Sequence, residues 1–253
     1  MTVCLTAARH FAIVMTVDSA VVQDFDDGHR EYSTGRKAFV LPGIGVVSTW
    51  GARDGNQIMQ ELPKLQASSR TLSIADVSEA VRRYLEFDFR PHDRGSDPVG
   101  YHIAGFREPD APVVYHVYWK PESDESNTPG GYVTEKHDPS RDGVFMLWNG
   151  REDLVEDVLV AINRERKRKK EMPLPLEDAA GLVALGHLAM RFAREVSFDV
   201  SPPYFAHVIT PENRVHSAEL PEWIPINDRR TAQVNQFMTG IAGLRFVHRL
   251  VAS

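Results

Sequence analysis

The most constraining feature of this sequence is an apolar run near its start, residues 11–17, in which nearly every side chain is apolar. Alternation is typical of a strand with one solvent-exposed face, whereas an unbroken apolar run is typical of a strand covered on both faces. Residues 2–8 form another strand-like run, and Arg9-His10 is a short break between the two. We therefore predict a buried hairpin that ties the start of the chain into the core, although chain ends normally fray.

The residue at the start of this hairpin can carry chemistry. If Met1 is removed, Thr2 presents its hydroxyl and a free α-amine on one residue. A threonine hydroxyl is a weak nucleophile until a base takes its proton. The α-amine has an unperturbed pKa of about 7.7–8.0, so it can be neutral near pH 7 and act as that base. Thr2 is therefore a candidate nucleophile, and Asp18 and Ser19 place an acid and a hydroxyl where the apolar run ends.

The composition excludes several classes of protein. A net charge of -6 over 253 residues argues against a general nucleic-acid binder. Cys4 is the single cysteine, so no intramolecular disulfide can form and we expect a reducing, cytoplasmic compartment. No apolar run is long enough to predict a membrane span. The histidines show no ligand-like spacing, and His102, His116 and His207 lie within predicted strands, so we predict no metal and no cofactor.

Turn signals divide the rest of the chain into short strands and helices. Pro42-Gly43 separates residues 37–41 from residues 44–50 and predicts a second hairpin. Ser73 is the predicted N-cap of a helix, with Asp76 at the capping-box position. Helical spacing of apolar residues occurs in segments 54–63, 73–85, 150–162 and 178–195. Further strands are predicted at residues 99–106, 113–119, 132–135, 144–148, 204–210 and 214–217, of which the last two form a third hairpin.

The order of these elements predicts an α+β fold. Sheets joined mostly by hairpins are antiparallel, and strands buried on both faces need covering layers on both sides. We therefore predict a four-layer αββα sandwich, with two antiparallel sheets face to face and a helix pair outside each. Residues 1–253 are expected to form one domain, with residues 218–253 as a C-terminal extension packed on it.

Four residues at fixed separations carry a resemblance to a known family. They are Thr2 with Asp18, and Lys37 with Gly51. The sequence resembles the proteasome-type N-terminal-nucleophile (Ntn) hydrolases, the group that contains proteasome β-subunits and the bacterial HslV-type peptidase. That family has an N-terminal Thr, an Asp closing the second strand, a Lys starting a later strand and a Gly after it, at these separations. The predicted helix pairs and late hairpin extend the resemblance over most of the chain.

The resemblance implies a threonine peptidase or amidase. Thr2 Oγ would attack an amide carbonyl while its own amine takes the proton, and the nearby charge of Lys37 would lower the pKa of that amine. Asp18 would orient Lys37, and the Gly51 N–H would receive the oxyanion. We expect the carboxylate of Asp18 to keep the buried Lys37 charged.

The resemblance also implies supporting residues and partners. Ser19, Asp199 and Ser201 are candidates to support the amine. The implied partners are a peptide or amide substrate, further copies of the chain in a ring or related assembly, and a regulatory or unfoldase protein. The basic run from Arg164 to Lys170 is expected to be a solvated helix end, and a patch for a partner or a nucleic acid is its alternative.

A non-catalytic function is the alternative. Thr2 can simply begin a strand, Asp18 can cap a turn, and Gly51 can end a strand. In that case the chain is a homologue that keeps the sandwich as an assembly or scaffold subunit. A retained Met1 would favour this alternative, because it removes the free amine of Thr2.

Overall fold

A computed structural model describes residues 3–24, 30–51, 72–87, 99–121, 130–139, 143–149, 176–196 and 200–220, with single positions 58, 62, 64 and 167. These residues form twelve strands and two helices. The strands are β1 (Cys4–Arg9), β2 (Ala12–Val17), β3 (Ala20–Asp24), β4 (Arg30–Thr34), β5 (Ala38–Leu41), β6 (Gly45–Gly51), β7 (Val99–Glu108), β8 (Ala111–Lys120), β9 (Gly131–His137), β10 (Phe145–Asn149), β11 (Tyr204–Ile209) and β12 (Val215–Leu220). The helices are α1 (Ile74–Phe87) and α2 (Ala179–Val196).

The first sheet contains the start of the chain in its interior. Its five antiparallel strands lie in the order β10-β1-β2-β11-β12. The hairpin of β1 and β2 runs in register from Cys4 opposite Val17 to Arg9 opposite Ala12. Every residue of β2 is buried, which agrees with the unbroken apolar run. The prediction of a buried N-terminal hairpin is therefore confirmed.

The other strands form two further sheets. The second five-stranded sheet is antiparallel in the order β5-β6-β7-β8-β9. Its first hairpin turns at Gly43, whose φ of 76° lies in the left-handed region that favours glycine. Strands β3 and β4 pair with each other, from Ala20 opposite Thr34 to Asp24 opposite Arg30, and form a separate two-stranded sheet.

Three apolar clusters hold the two five-stranded sheets and the helices together. One cluster joins α2 to the first sheet and a second joins α1 to the second sheet. The third, which we call the inner core, lies between the two sheets and includes Ile13, Met15, Val46 and Val114. Burying side chains of this size contributes about 1.5–3 kcal/mol each, so the inner core strongly favours face-to-face packing of the sheets.

Each helix is fixed by a local sequence feature. Ser73 caps α1 as predicted, because the Asp76 N–H donates to Ser73 Oγ at 3.2 Å and the Ser73 N–H donates to Asp76 Oδ2 at 2.8 Å. Helix α2 crosses β2 at Gly186, where a Cβ would stand 2.1 Å from Thr16 Oγ1. Only a residue without a side chain allows that approach.

The predicted four-layer αββα sandwich with helix pairs is wrong. The described residues are mostly strand, they form three sheets, and their two helices lie one against each five-stranded sheet. No strand pair was predicted within residues 20–34, whereas β3 and β4 pair with each other through main-chain hydrogen bonds and make a third sheet. A prediction from helical spacing alone gave too much weight to helix pairs.

Several predicted elements lie outside the described residues. They are the helix at 150–162, the helical end at 229–251 and most of the helix at 54–63. Two residues of the last segment, Ile58 and Leu62, are buried in the cluster that contains α1. The basic run from Arg164 to Lys170 also falls almost wholly outside. The single domain with residues 218–253 as its extension stays a prediction, although β12 already includes Ala218 to Leu220.

Candidate active site

A buried ion pair lies where β2 ends and β5 begins. Lys37 Nζ donates to Asp18 Oδ1 at 2.8 Å and to Asp18 Oδ2 at 2.9 Å. Asp18 is fully buried and Lys37 is 3% exposed. Two charges removed from water lose much of their hydration energy, and the pair persists only with close geometry and further hydrogen bonds. The structure therefore brings together two of the four predicted catalytic residues.

Main-chain donors complete the surroundings of the Asp18 carboxylate. The Val3 N–H donates to Oδ1 and the Ala20 N–H donates to Oδ2, both at 3.0 Å. Burial raises the pKa of Asp18, and the charge and hydrogen bonds of Lys37 and these two N–H groups oppose that rise. The carboxylate thus accepts main-chain hydrogen bonds from a residue that precedes it in the sequence, Val3, and from one that follows it, Ala20. Because Val3 is one of them, the carboxylate lies beside the first described residue of the chain.

The pKa of Lys37 moves in the direction that favours its neutral form. Burial lowers this pKa, and the charge and hydrogen bonds of Asp18 oppose the change. From the sequence we expected the Asp18 carboxylate to have the larger effect on the pKa of Lys37. In the structure, desolvation has the larger effect. A buried lysine whose pKa is shifted in this way is a candidate functional residue.

The predicted oxyanion residue lies on the strand next to Lys37. The Thr49 N–H donates to the Lys37 carbonyl at 2.9 Å, which ties β6 to the start of β5. Gly51 is two residues further along, about 7 Å at the usual rise of a strand. Its φ of 87° is one that glycine adopts freely and other residues rarely adopt. The strand thus ends in a glycine with a left-handed backbone conformation.

The remaining predicted site residues divide into two groups. Thr2 and Asp199 lie outside the described residues. Ser19 and Ser201 are brought together, because the Ser19 N–H donates to the Ser201 carbonyl at 3.5 Å. The hydroxyl of Ser19 is buried and has no hydrogen-bond partner within the described part of the chain. Catalytic and supporting roles for all these residues stay predictions.

A second group of buried polar residues, which sequence reasoning missed, lies between the sheets. His102 Nε2 donates to Asn149 Oδ1 at 2.6 Å, which leaves Nδ1 as an acceptor for the Thr6 hydroxyl at 2.9 Å. The Cys4 Sγ lies 3.3 Å from the same Nδ1 and 2.8 Å from Ser48 Oγ. The pairing registers of β1 with β10 and of β6 with β7 bring these residues together, and no local motif signals it.

Cys4 is excluded as a substitute nucleophile by its surroundings. Its side chain is fully buried, and burial raises the pKa of the thiol to about 12. The nucleophile is the thiolate, which such a pKa leaves almost unpopulated at pH 7. In the structure Cys4 is therefore a small buried core residue.

A cavity opens beside the ion pair. It has a volume of about 450 Å³ and is lined by residues from the end of β2, the link between β4 and β5, and strands β11 and β12. His207 and Ser217 face each other across those two strands, and His207 Nδ1 lies 2.7 Å from Ser217 Oγ. The turn at residues 211–213 signals this pairing in the sequence, because it places His207 and Ser217 at equal distances from its centre.

Comparison with known proteins identifies similar folds. No family model matches the chain, and no curated protein matches its sequence. The chain is similar to the solved structure of Anbu (ancestral beta-subunit) from Yersinia bercovieri, at 13% identity and a TM-score of 0.57 over 94% of this chain and 93% of that one. It is similar to Anbu from Hyphomicrobium sp. strain MC1, at 13% identity and a TM-score of 0.55 over 94% of each chain.

A third solved structure describes an assembly. It is the helical assembly of the Anbu complex from Pseudomonas aeruginosa, at 14% identity and a TM-score of 0.53 over 94% of this chain and 93% of that one. At such identities the likeness shows the fold alone. The chain therefore has a fold like that of these Anbu proteins over nearly its whole length.

These matches correct the family predicted from the sequence. The resemblance to proteasome β-subunits and the HslV-type peptidase is wrong as stated, because the matching structures are Anbu proteins. Four residues at fixed separations are too few to distinguish one family from another with a related fold. Within the described residues, no helix is both long and apolar enough to cross a membrane.

Proposed function

We propose that the chain is an amide hydrolase whose nucleophile is Thr2 after removal of Met1. The observation that carries this proposal is the buried Lys37–Asp18 pair, whose carboxylate accepts the N–H of Val3, the residue that follows Thr2. A buried ion pair contributes little to stability relative to well-packed apolar side chains. Its place beside the start of the chain favours a functional reason for keeping it.

Each proposed residue has one task in the reaction. Thr2 Oγ attacks the carbonyl carbon of the substrate while its proton passes to the α-amine, and the Gly51 N–H stabilises the oxyanion. When the C–N bond breaks, that proton leaves with the amine product and an ester to Thr2 remains. Water then hydrolyses the ester by the same transfers in reverse. Lys37, held by Asp18, keeps the α-amine neutral through its nearby positive charge.

The test combines intact mass with peptide cleavage. We expect a mature chain that begins at Thr2 and releases a fluorophore from short peptide amides. Thr2→Ala should lower kcat/KM at least about 1,000-fold without changing the thermal unfolding midpoint, because it removes only the nucleophile. Thr2→Ser should keep measurable activity, because it keeps a hydroxyl and an amine on one residue.

The test has a matched control variant and outcomes that would contradict the proposal. Thr134→Ala removes a hydroxyl on β9 and should leave activity unchanged. Undiminished cleavage by Thr2→Ala would mean that another residue is the nucleophile. A chain that retains Met1 and cleaves no peptide would instead support the non-catalytic alternative.

That alternative is an assembly or scaffold subunit, and one comparison favours it. A solved Anbu structure is described as a helical assembly, so we propose that this chain also associates with copies of itself. Sedimentation at micromolar concentration should give a mass well above 28.5 kDa, and a monomer would contradict the proposal. A ring form, a peptide substrate, an unfoldase partner and a cytoplasmic location remain proposals from the sequence.

A further inference from the structure

The residues that line the cavity beside the ion pair divide by chemistry into an apolar set and a polar set, which we call its apolar wall and its polar wall. Val17, Ala38 and Phe205 contribute to the apolar wall. At about 450 Å³ the cavity is in the size range of small-molecule sites, which are mostly apolar with a few polar groups that fix orientation. The polar groups of the cavity therefore determine which ligand it can bind.

The polar wall carries positive charge and donors. Lys37 uses two of its three N–H donors on the two oxygens of Asp18, which leaves a third. Arg36 lines the same cavity and is held in place, because its Nε donates to the Ala38 carbonyl at 2.9 Å and its guanidinium lies 4.7 Å from the centre of the Phe39 ring. Two cationic residues therefore lie at one wall.

Ser19 is the second observation that points to a ligand. Its side chain is 2% exposed, it lines the cavity, and its hydroxyl has no hydrogen-bond partner among the described residues. Leaving a buried hydroxyl without a hydrogen-bond partner is unfavourable, so a partner from outside the protein is favoured. Ser217 and His207 also line the cavity and add a second hydroxyl and an imidazole.

From these contacts we propose that the cavity is a subsite for a short aliphatic carboxylate, of the kind that a glutamate side chain carries. The carboxylate accepts hydrogen bonds from Ser19 and charge-assisted bonds from Arg36 and Lys37, and its methylenes contact Val17 and Phe205. An inorganic anion would leave the apolar wall unused. The catalytic consequence, a preference for substrates with an acidic side chain beside the cleaved bond, rests on the proposed function.

The test measures binding without turnover. The full chain carrying Thr2→Ala is titrated calorimetrically with N-acetyl-glutamate amide and with its neutral isostere, N-acetyl-glutamine amide. We expect the glutamate probe to bind at least about tenfold more tightly, equal to about 1.4 kcal/mol. N-acetyl-glutamine with a free α-carboxylate distinguishes a chain-end carboxylate from a side-chain one, and tighter binding of that probe than of the glutamate probe would overturn the assignment to a side chain.

Two variants assign the binding to this cavity. Ser19→Ala and Arg36→Gln should each weaken binding of the glutamate probe at least about fivefold while the glutamine probe is unaffected. The control Arg83→Gln removes the same charge from an exposed position on α1 and should change neither affinity. Equal affinities for the two probes, or no binding at millimolar concentration, would overturn the proposal. Glutamate-selective binding by a chain without hydrolase activity would keep this proposal and overturn only the proposed function.

Discussion

Val3 and Asp18 are joined in both directions: the Val3 N–H donates to Asp18 Oδ1 at 3.0 Å, and the Asp18 N–H donates to the Val3 carbonyl at 3.4 Å. The carboxylate that holds Lys37 is thus anchored to the main chain of the first strand. A shift of this strand would move the carboxylate and the lysine together. The geometry of the candidate site therefore depends on the N-terminal hairpin.

Removing the charge of Lys37 should strongly destabilise the fold. Lys37→Met leaves the Asp18 carboxylate buried without its partner, and breaking such a pair typically costs about 3–5 kcal/mol. The double variant Lys37→Met with Asp18→Asn should recover part of this loss, because no buried charge remains. Urea denaturation of the single and double variants measures both effects.

The control for this prediction is an exposed ion pair on α1. Arg82 contacts Glu79 at 2.8 Å, and the two side chains are 26% and 52% exposed. Arg82→Met should cost no more than about 1 kcal/mol. Similar losses for Lys37→Met and Arg82→Met would contradict a special role for burial.

The stability of the protein should fall as the pH is lowered from 7 to 5. Burial lowers the pKa of His102 to about 3 and those of His116 and His207 to about 4, and neighbouring histidines or, for His207, Arg36 add to the shift. In the unfolded chain they bind protons below about pH 6.5. The unfolded state therefore binds more protons between pH 6.5 and about 4, and stability present above pH 6.5 is lost in that window.

The expected size of this loss is about 2 kcal/mol for each histidine at pH 5. Urea unfolding at several pH values measures it. His207→Gln should remove about one third of the pH dependence whatever it does to stability at pH 7, because only the titration of that residue is lost. A free energy of unfolding that is constant from pH 7 to 5 would contradict neutral burial of these histidines.

Gly186→Val should destabilise the packing of α2 on the first sheet. Any side chain there meets Thr16, so α2 must move away from β2, and such overpacking typically costs about 1–3 kcal/mol. Combining it with Thr16→Ala should cost less than the two single changes together. Gly131→Ala is the control, because a Cβ there meets no atom within 4 Å. A thermal midpoint unchanged by Gly186→Val would show that the crossing is looser than described.

Cys4 should be inert to thiol reagents until the protein unfolds. Its thiol is fully buried with a pKa of about 12, so native labelling by iodoacetamide at pH 8 should follow global unfolding and be at least about 1,000-fold slower than in urea. A comparison chain with Cys4→Ala and Ser33→Cys places the thiol at an exposed position and should react at once. Fast native labelling of Cys4 would require an opening of the inner core.

Much of the fold was predictable because its strands carry local signals. The unbroken apolar run at residues 11–17 predicted the buried strand β2. The turns at Pro42-Gly43 and at residues 211–213 predicted two hairpins. The turn signal at Asp27-Gly28 was visible in the sequence, but the separate sheet of β3 and β4 was not predictable, because the strands beside this signal show no continuous apolar run. Helical spacing also could not say how many helices cover a sheet.

The candidate site, like the fold, was predictable only in part. Asp18 could be proposed from its position at a strand end and Lys37 from the resemblance to the Ntn hydrolases, and the structure places them in contact. The relative size of the burial and charge effects on the pKa of Lys37 could not be predicted, because desolvation depends on the packing around the side chain. The contacts of His102 with Asn149 and Thr6 depend on pairing registers between distant strands, which local sequence does not encode.

The interior position of β1 has a consequence for the order in which the protein is made. Among the described strands β1 comes first in the sequence, yet its neighbour β10 begins at Phe145, and β11, which pairs with β2, begins at Tyr204. The hairpin of β1 and β2 therefore has no sheet to join until these later strands have been synthesised, and pairings of such long sequence separation form slowly. The proposed hydrolase activity, which needs this sheet, is therefore expected only after β10 and β11 have been synthesised.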